Sequence, residues 1–276
     1  MTRIALLQAQ TGIDPVRNAD GLRQAAARAR AGGAAMLFTP EMSGLLDRDR
    51  SRAAARLRTQ GEDPVLAAVR EAAAREGLWV HLGSLALRNE EGDRLVNRGF
   101  VIDPAGEVRA SYDKLHLFDV DLATGESWRE SAVYRPGDRT VVVEGTPVGR
   151  LGLTICYDLR FPALFAALAE AGADTIAVPA AFTVPTGQAH WQVLLRARAI
   201  EAGLFVVAAA QAGRHEDGRE TYGHSLVADP WGELLVELDG APGLGFAELE
   251  PDRIAEVRSR VPALRHRRAI PPVATA

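Results

Sequence analysis

The sequence has very little of two residue types that most chains of 276 residues contain many times, cysteine and lysine. Cys156 is the only cysteine, and Lys114 is the only lysine among 32 lysine and arginine residues. A single cysteine cannot form an internal disulfide, and no CxxC pair or His/Cys ligand spacing is present. We therefore expect neither a disulfide framework nor a zinc site, and we expect a reducing, cytoplasmic environment.

Long apolar runs are also missing, which argues against a membrane protein. The N-terminal segment MTRIALLQAQTG has too short an apolar run for a signal peptide. No stretch approaches the roughly 20 apolar residues that span a bilayer. The net charge of −4 makes nucleic acid an unexpected partner.

Three common active-site motifs do not occur in the sequence: the GxSxG elbow, the Walker A loop and the GxGxxG fingerprint. Serine hydrolase chemistry, nucleotide hydrolysis and dinucleotide redox chemistry are therefore unsupported. We expect no metal and no cofactor.

The composition is that of a globular protein, with 47% hydrophobic and 25% charged residues. No low-complexity linker divides the chain, so we predict a single domain over residues 1–276. Residues 262–276 form an arginine-rich C-terminal tail in this prediction. The tail is either a solvated end or a segment that docks onto a neighbouring subunit.

The order of predicted elements indicates a mixed α/β fold. The first third reads as strand, helix, strand, helix, strand, which is typical of helices packed on a sheet. A hairpin turn with the pattern DPxGE then occurs twice, at Asp103–Glu107 and at Asp229–Glu233. Two similar halves, each with βα units and one hairpin, predict two mixed sheets packed together with helices outside.

Three residues with useful chemistry each follow a predicted strand: Glu41, Lys114 and Cys156. Ligands of open α/β sheets bind in the crevice at strand ends, so these side chains are candidates for a base, an electrostatic stabiliser and a nucleophile. Because the chain uses arginine for every other such cation, its single lysine favours the interpretation that position 114 needs a compact ammonium. The alternatives are a buried structural cysteine, a surface lysine and a solvated turn glutamate.

A Cys-His dyad is a further alternative at this point. His116, His190 and His224 are the candidate partners of Cys156. Each is equally explained as a polar residue of the core or the rim, and the sequence does not favour one of them.

Three motifs, in this order, carry a resemblance to a known family: LFTPEMS, YDKLHLFDVD and LTICYDLRFP. Together they resemble the nitrilase superfamily of carbon-nitrogen hydrolases over essentially the whole chain. The resemblance implies a four-layer α-β-β-α sandwich, no cofactor, and a homodimer or higher homo-oligomer formed through helices next to the nucleophile strand. It also implies that Glu41, Lys114 and Cys156 form a catalytic triad.

The resemblance extends to residues around the triad. It implies a second glutamate, at Glu130, and it puts His116 and Phe118 near the pocket without a catalytic role, with His116 expected to contact the substrate. With Lys114, the backbone N–H of Tyr157 is expected to stabilise an oxyanion.

Further residues are assigned on local grounds. Phe182 and Thr183 end a predicted strand and are expected in the pocket wall. Asp158 and Arg160 are expected to brace the turn after the nucleophile. Arg214, with Arg219 as the other candidate, is expected to bind a substrate carboxylate, the alternative for each being a solvated loop charge.

Within the superfamily, the chain resembles the branch of deaminated-glutathione amidases, with ω-amidases close by. The expected reaction is hydrolysis of a small primary amide that carries a carboxylate, giving an acid and ammonia through a thioester. A nitrilase or an N-carbamoyl amine hydrolase would use the same triad, and a catalytically silent binding module would keep the fold.

Overall fold

The computed structural model describes residues 1–89, 92, 94–121, 125 and 127–275. Its helices are α1 (Pro15–Ala31), α2 (Arg50–Arg56), α3 (Pro64–Glu76), α4 (Pro162–Glu170), α5 (Val184–Ala202), α6 (Asp252–Arg260) and α7 (Ala263–His266). Its strands are β1 (Thr2–Gln8), β2 (Met36–Phe38), β3 (Trp79–Arg88), β4 (Leu95–Ile102), β5 (Val108–Asp113), β6 (Asp119–Asp121), β7 (Ser127–Arg129), β8 (Val142–Thr146), β9 (Gly149–Leu153), β10 (Thr175–Ala177), β11 (Phe205–Ala208), β12 (Ala212–Arg214), β13 (Glu220–Tyr222), β14 (Leu226–Ala228), β15 (Leu234–Glu237) and β16 (Gly243–Leu249). Among these described helices, none combines the length and the apolar character needed to cross a membrane.

Two six-stranded sheets have the same internal order. The first runs β16-β1-β2-β3-β4-β5 and the second runs β8-β9-β10-β11-β14-β15. Three parallel strands form the centre of each sheet, β1 to β3 in the first and β9 to β11 in the second. An antiparallel strand flanks one side and an antiparallel hairpin flanks the other. The predicted half-repeat is therefore confirmed.

The repeated DPxGE sequence forms the same turn in both hairpins. In the first, the Asp103 carboxylate accepts hydrogen bonds from the backbone N–H groups of Ala105 and Glu107 at 2.9 and 3.0 Å. In the second, Asp229 accepts from Trp231 and Glu233, both at 2.8 Å. Aspartate stabilises such a turn because its side chain satisfies N–H groups two and four residues ahead.

The layers follow the distribution of buried residues. One face of the first sheet packs on α1 and α3, whose buried positions are mainly alanines that allow close approach. Its other face packs on the second sheet, and that sheet is covered on its far side by α4 and α5. The four-layer α-β-β-α sandwich is therefore confirmed.

Local sequence signals explain where the main helices begin and end. Asp14 caps α1 by accepting one backbone N–H of its first turn, Asp63 caps α3 by accepting two, and a proline opens each helix. Gly203 ends α5 in the left-handed conformation with φ of +56°.

The predicted tail is partly packed against the fold. Helix α7 lies within residues 262–276, Leu264 packs against the main core, and Arg267 donates to Glu170 of α4 at 2.9 Å. The residues that follow are exposed and have no regular secondary structure as far as residue 275. The last residue of the predicted tail lies outside the described residues.

Candidate active site

The three candidate residues at strand ends meet in one cavity. Glu41 follows β2, Lys114 follows β5 and Cys156 follows β9, so both sheets contribute to the site. All three are buried, with exposed fractions of 4%, 2% and 7%. They line a cavity of about 1160 Å³. The pairing of the two sheets thus brings together residues that are up to 115 positions apart in the chain.

The Lys114 ammonium lies between two carboxylates. Its Nζ donates to Oε1 of Glu41 at 2.9 Å and to both oxygens of Glu130, at 3.1 and 2.9 Å. Burial by itself would lower the pKa of Lys114, but Glu130 and Glu41 outweigh burial and hold the pKa well above its usual range. The lysine is therefore a permanent cation in this cavity.

Glu130, the second glutamate that the resemblance implies, lies beside Lys114. It begins a short 3-10 helix, Glu130–Ala132, and its Oε2 accepts the backbone N–H of Phe118 at 2.6 Å. Because Lys114 binds the same carboxylate, Glu130 joins the lysine to the loop that carries Phe118.

Asn97 is a buried residue of this site that sequence reasoning did not identify. Its Nδ2 donates to Glu41 at 2.9 Å and to Glu130 at 3.3 Å. The second oxygen of Glu41 accepts the backbone N–H of Ala181 at 3.0 Å. With Lys114, these donors fix both carboxylates, so the geometry is set before any ligand binds.

Cys156 begins the 3-10 helix Cys156–Arg160 in a strained backbone conformation. Its φ is +52°, in the left-handed region that favours glycine, and its N–H donates to the carbonyl of Pro179 at 2.9 Å. Burial and then the Glu41 carboxylate raise the pKa of the thiol well above its usual range. The thiol is therefore neutral at pH 7 and needs a base to become a nucleophile.

The backbone N–H of Tyr157, next to the nucleophile, is available to a ligand. Among the described residues it donates to no acceptor, as expected for the first turn of a helix. Its neighbour Asp158 donates its own N–H to the carbonyl of Ile155 at 3.1 Å. A free N–H next to the nucleophile and a nearby ammonium are the donors that an oxyanion requires.

Asp158 braces the turn after Cys156, as expected. One carboxylate oxygen accepts the Tyr112 hydroxyl at 2.7 Å and the Ile155 N–H at 2.9 Å. The other accepts the backbone N–H of His116 at 3.0 Å and lies 2.7 Å from its Nδ1. His116 stacks on Phe161 with ring centroids 3.5 Å apart, and it is not among the described residues that line the cavity.

Most predicted wall residues line the cavity. Phe118, Tyr157, Phe182 and Thr183 all do so. Arg160 also lines it, between the rings of Tyr157 and Phe182 at 6.0 and 5.8 Å, instead of only bracing the turn.

Arg214 and the remaining histidines lie elsewhere. Arg214 ends β12 with its side chain exposed and, within the described part of the chain, does not line the cavity. Arg219, on the other side of the same hairpin turn, does line it. His190 and His224 are also not in the described lining, so a Cys-His dyad has no geometric support. The position of Arg214 therefore gives no support to the expectation that it binds substrate.

This set of groups can activate a thiol and stabilise an oxyanion. A buried carboxylate that contacts a neutral thiol can accept its proton, and a fixed ammonium and a free N–H can hold a developing negative charge. Cofactor-free acyl transfer is the chemistry that such groups support.

Comparison with known proteins identifies the family. The carbon-nitrogen hydrolase family model matches residues 3–259. The deaminated glutathione amidase of Yersinia enterocolitica is 39% identical over 269 residues, which cover 97% of this chain and 93% of that protein. The crystal structure of the C. elegans NitFhit protein superposes with a TM-score of 0.89 at 35% identity, covering 97% of this chain and 65% of that one.

A second solved structure is an amidase with an occupied active site. It is a glutamate-to-glutamine mutant of the amidase from Nesterenkonia sp. AN1, with the acetamide moiety of fluoroacetamide added covalently to the active-site cysteine. It superposes with a TM-score of 0.80 at 30% identity and covers 97% of this chain and 94% of that one. The family match, the relatives and the fold agree, and the chain belongs to the carbon-nitrogen hydrolase family, as its resemblance to the nitrilase superfamily predicts.

Proposed function

We propose that this protein is a cysteine-dependent amidase that hydrolyses a small carboxylate-bearing amide through a thioester on Cys156. The observation that carries the proposal is the arrangement of Lys114 between Glu41 and Glu130 in the cavity that contains the thiol. The names of the relatives, deaminated glutathione amidases among them, support the same reaction class.

Acylation begins with proton transfer from Cys156 to Glu41. The thiolate attacks the amide carbonyl carbon, and the carbonyl oxygen becomes an oxyanion that Lys114 and the Tyr157 N–H stabilise. The protonated Glu41 then gives its proton to the departing nitrogen as the C–N bond breaks. The products of this step are an amine or ammonia and a thioester.

Deacylation uses the same carboxylate a second time. Glu41 accepts a proton from water, the resulting hydroxide attacks the thioester carbonyl, and the C–S bond breaks to release the acid. Glu41 returns its proton to the thiolate, so the enzyme ends in its starting state. Lys114 keeps its proton throughout, and Glu130 holds it in place.

The charge of the cavity wall supports a substrate with a carboxylate. Beyond Lys114, the described lining contains seven arginines: Arg48, Arg50, Arg88, Arg94, Arg129, Arg160 and Arg219. Apart from Glu41 and Glu130, it contains only the acids Asp47 and Glu220. A carboxylate loses its hydration on entering such a cavity, and arginine donors compensate for that loss.

Deaminated glutathione and ω-amides of keto acids are the proposed substrates. The amide bonds of deaminated glutathione join residues of a peptide, so its hydrolysis would release an amine, whereas a primary ω-amide would release ammonia. The assay must therefore detect both products.

The test is a substrate panel measured side by side. It contains deaminated glutathione, α-ketoglutaramate, an uncharged aliphatic amide, a nitrile and an N-carbamoyl amine, with Cys156→Ala as the inactive control. We expect the highest kcat/KM for the carboxylate-bearing amides. Preference for the nitrile or the carbamoyl compound would assign one of the alternative activities, and no turnover of any compound would indicate a binding module.

We also propose that the protein is a homodimer formed through α5. This helix exposes Val193 and Ile200, by 66% and 53%, and Trp231 and Val261 are exposed by 46% and 53%. Val16, 63% exposed on α1, provides a control. Light scattering should give twice the chain mass for the wild type and for Val16→Asp, and the single-chain mass for Val193→Asp/Ile200→Asp. A monomeric wild type would contradict this proposal.

We further propose a single cytoplasmic domain over residues 1–276. One core cluster includes residues of both sheets, which supports cooperative folding, and the lone buried thiol suits a reducing compartment. Urea unfolding followed by fluorescence and by circular dichroism should give coincident transitions. Cell fractionation checks the location.

A further inference from the structure

Arg219 is a largely buried arginine on the cavity wall, in a hairpin that carries none of the triad residues. It follows the turn of the β12–β13 hairpin and lines the cavity with Trp128. The guanidinium carbon lies 5.0 Å from the centroid of the Trp128 ring. Only 16% of the Arg219 side chain is exposed, and burial lowers its pKa from the usual range. A mostly desolvated cation at the edge of a ligand cavity needs an explanation.

The hairpin turn holds Arg219 in place without a ligand. The His215 N–H donates to the Arg219 carbonyl at 2.7 Å, and the Arg219 N–H donates to Asp217 at 3.0 Å. The His215 ring is itself anchored, with Nδ1 2.9 Å from the carbonyl of Thr11 and Nε2 2.7 Å from the Thr221 hydroxyl. The backbone that carries the Arg219 side chain is therefore fixed before any ligand binds, which lowers the entropy cost of binding.

Donors outnumber acceptors on this part of the wall. Asp217 is the carboxylate paired with Arg219, with 3.2 Å between Oδ2 and Nη2, and the same oxygen also accepts the backbone N–H of Arg48 at 2.8 Å. Arg219 Nε and Trp128 Nε1 are buried and have no acceptor among the described residues. Buried donors are nearly always paired in folded proteins, so two orphans side by side indicate a missing acceptor.

We propose that Arg219, supported by Trp128, binds the substrate carboxylate that lies away from the scissile amide. The inference rests on the proposed amidase function and names the residue that would select its substrate class. The guanidinium offers a carboxylate charge-assisted hydrogen bonds, and the Trp128 ring, 5.0 Å from the guanidinium carbon, stabilises the cation. Arg214 is exposed and does not line the cavity in the described part of the chain, so the proposal assigns it no contact with the carboxylate.

The test compares two amides of equal length that differ only at the far end. Succinamate ends in a carboxylate, and 4-hydroxybutyramide ends in an uncharged hydroxyl. Arg219→Gln should lower kcat/KM for succinamate by about 10- to 100-fold, mainly through KM, with less than about threefold loss for the hydroxyl compound. Trp128→Phe, which keeps an aromatic ring but removes the indole N–H, should lower kcat/KM for succinamate by about threefold. Arg214→Gln is the matched control and should change neither value.

Two results would overturn the proposal. Equal losses for both amides in Arg219→Gln would mean that Arg219 only supports the structure, and no loss for succinamate would mean that another group binds the carboxylate.

A binding measurement separates this inference from the proposed function. In Cys156→Ala, calorimetry should detect succinate binding that is weakened about 10-fold or more by Arg219→Gln. If the wild-type protein hydrolyses no amide but succinate binding to Cys156→Ala depends on Arg219, the amidase proposal fails and the carboxylate site stands. If amides are hydrolysed and succinate binding is independent of Arg219, only the carboxylate site fails.

Discussion

At the residue scale, the lone lysine is explained by its surroundings. The Lys114 ammonium is enclosed by two carboxylates, and its backbone N–H donates to the carbonyl of Asn97, the residue that binds the same two carboxylates. A small cation with rotatable donors can bind both acids and still face an oxyanion. The planar guanidinium of arginine is larger and places its donors in a fixed fork.

Replacing Lys114 by arginine should therefore remove most of the activity. We expect Lys114→Arg to lower kcat by about 100-fold or more, because an oxyanion donor is displaced while the charge is kept. The control is Arg109→Lys, a swap at an exposed arginine whose side chain is 57% accessible. Steady-state kinetics with circular dichroism checks the prediction, and near wild-type turnover in Lys114→Arg would refute the assigned role.

His81 should make stability depend on pH. It is buried in β3, its Nδ1 has no partner in the described structure, and burial lowers its pKa from 6.5 to about 3. Above pH 6.5 the histidine is neutral in both states. Between pH 6.5 and 3 the unfolded chain binds a proton that the folded chain does not. The free energy of unfolding therefore decreases as the pH is lowered through this range, by up to about 5 kcal/mol.

Urea unfolding of the wild type and of His81→Leu at several pH values measures this effect. Burial also lowers the pKa of His215, so both proteins lose stability in acid, and their difference isolates His81. We expect a shallower pH dependence for His81→Leu. Parallel curves for the two proteins would show that His81 does not contribute.

At the element scale, the turn that carries the nucleophile depends on one carboxylate. Asp158 accepts four donors, from the Tyr112 hydroxyl, the Ile155 N–H, and the N–H and ring of His116. These contacts hold the strained turn at Cys156 and join it to the loop after Lys114. The geometry of the site is therefore built into the ends of β5 and β9.

Asp158→Asn should destabilise the fold and lower activity together. The NH2 group that replaces one carboxylate oxygen faces donors and cannot accept from them. This loss should cost about 3 kcal/mol in the free energy of unfolding. Tyr112→Phe removes one donor and should cost about 1 kcal/mol. Urea denaturation orders the two variants, and a smaller loss for Asp158→Asn than for Tyr112→Phe would contradict this account of the turn.

At the scale of the whole molecule, the sequence predicts the layers and the strand ends well. The two DPxGE turns reveal the half-repeat because aspartate, proline and glycine determine local geometry. Glu41, Lys114 and Cys156 could be found because each follows a predicted strand, and because the lysine and the cysteine are each the only one in the chain. The resemblance, and not local physics, pointed to Glu130.

Other features depend on tertiary pairing that no local signal reports. Asn97 lies within β4, where an asparagine is not expected to carry function, and it joins the site only because β4 lies beside β5. The choice between Arg214 and Arg219 depends on the register of a short hairpin, which a one-residue shift would reverse. Helix α2 was missed because it buries no residue.

The central claim is that Cys156 forms a thioester with the acyl part of an amide. The most direct test is acid quenching during steady-state turnover, followed by intact mass and peptide mapping of the wild type and of Cys156→Ala. We predict an adduct with the mass of the acyl group on the peptide that contains Cys156, and neither adduct nor turnover in Cys156→Ala. Sustained amide hydrolysis by Cys156→Ala would contradict the mechanism.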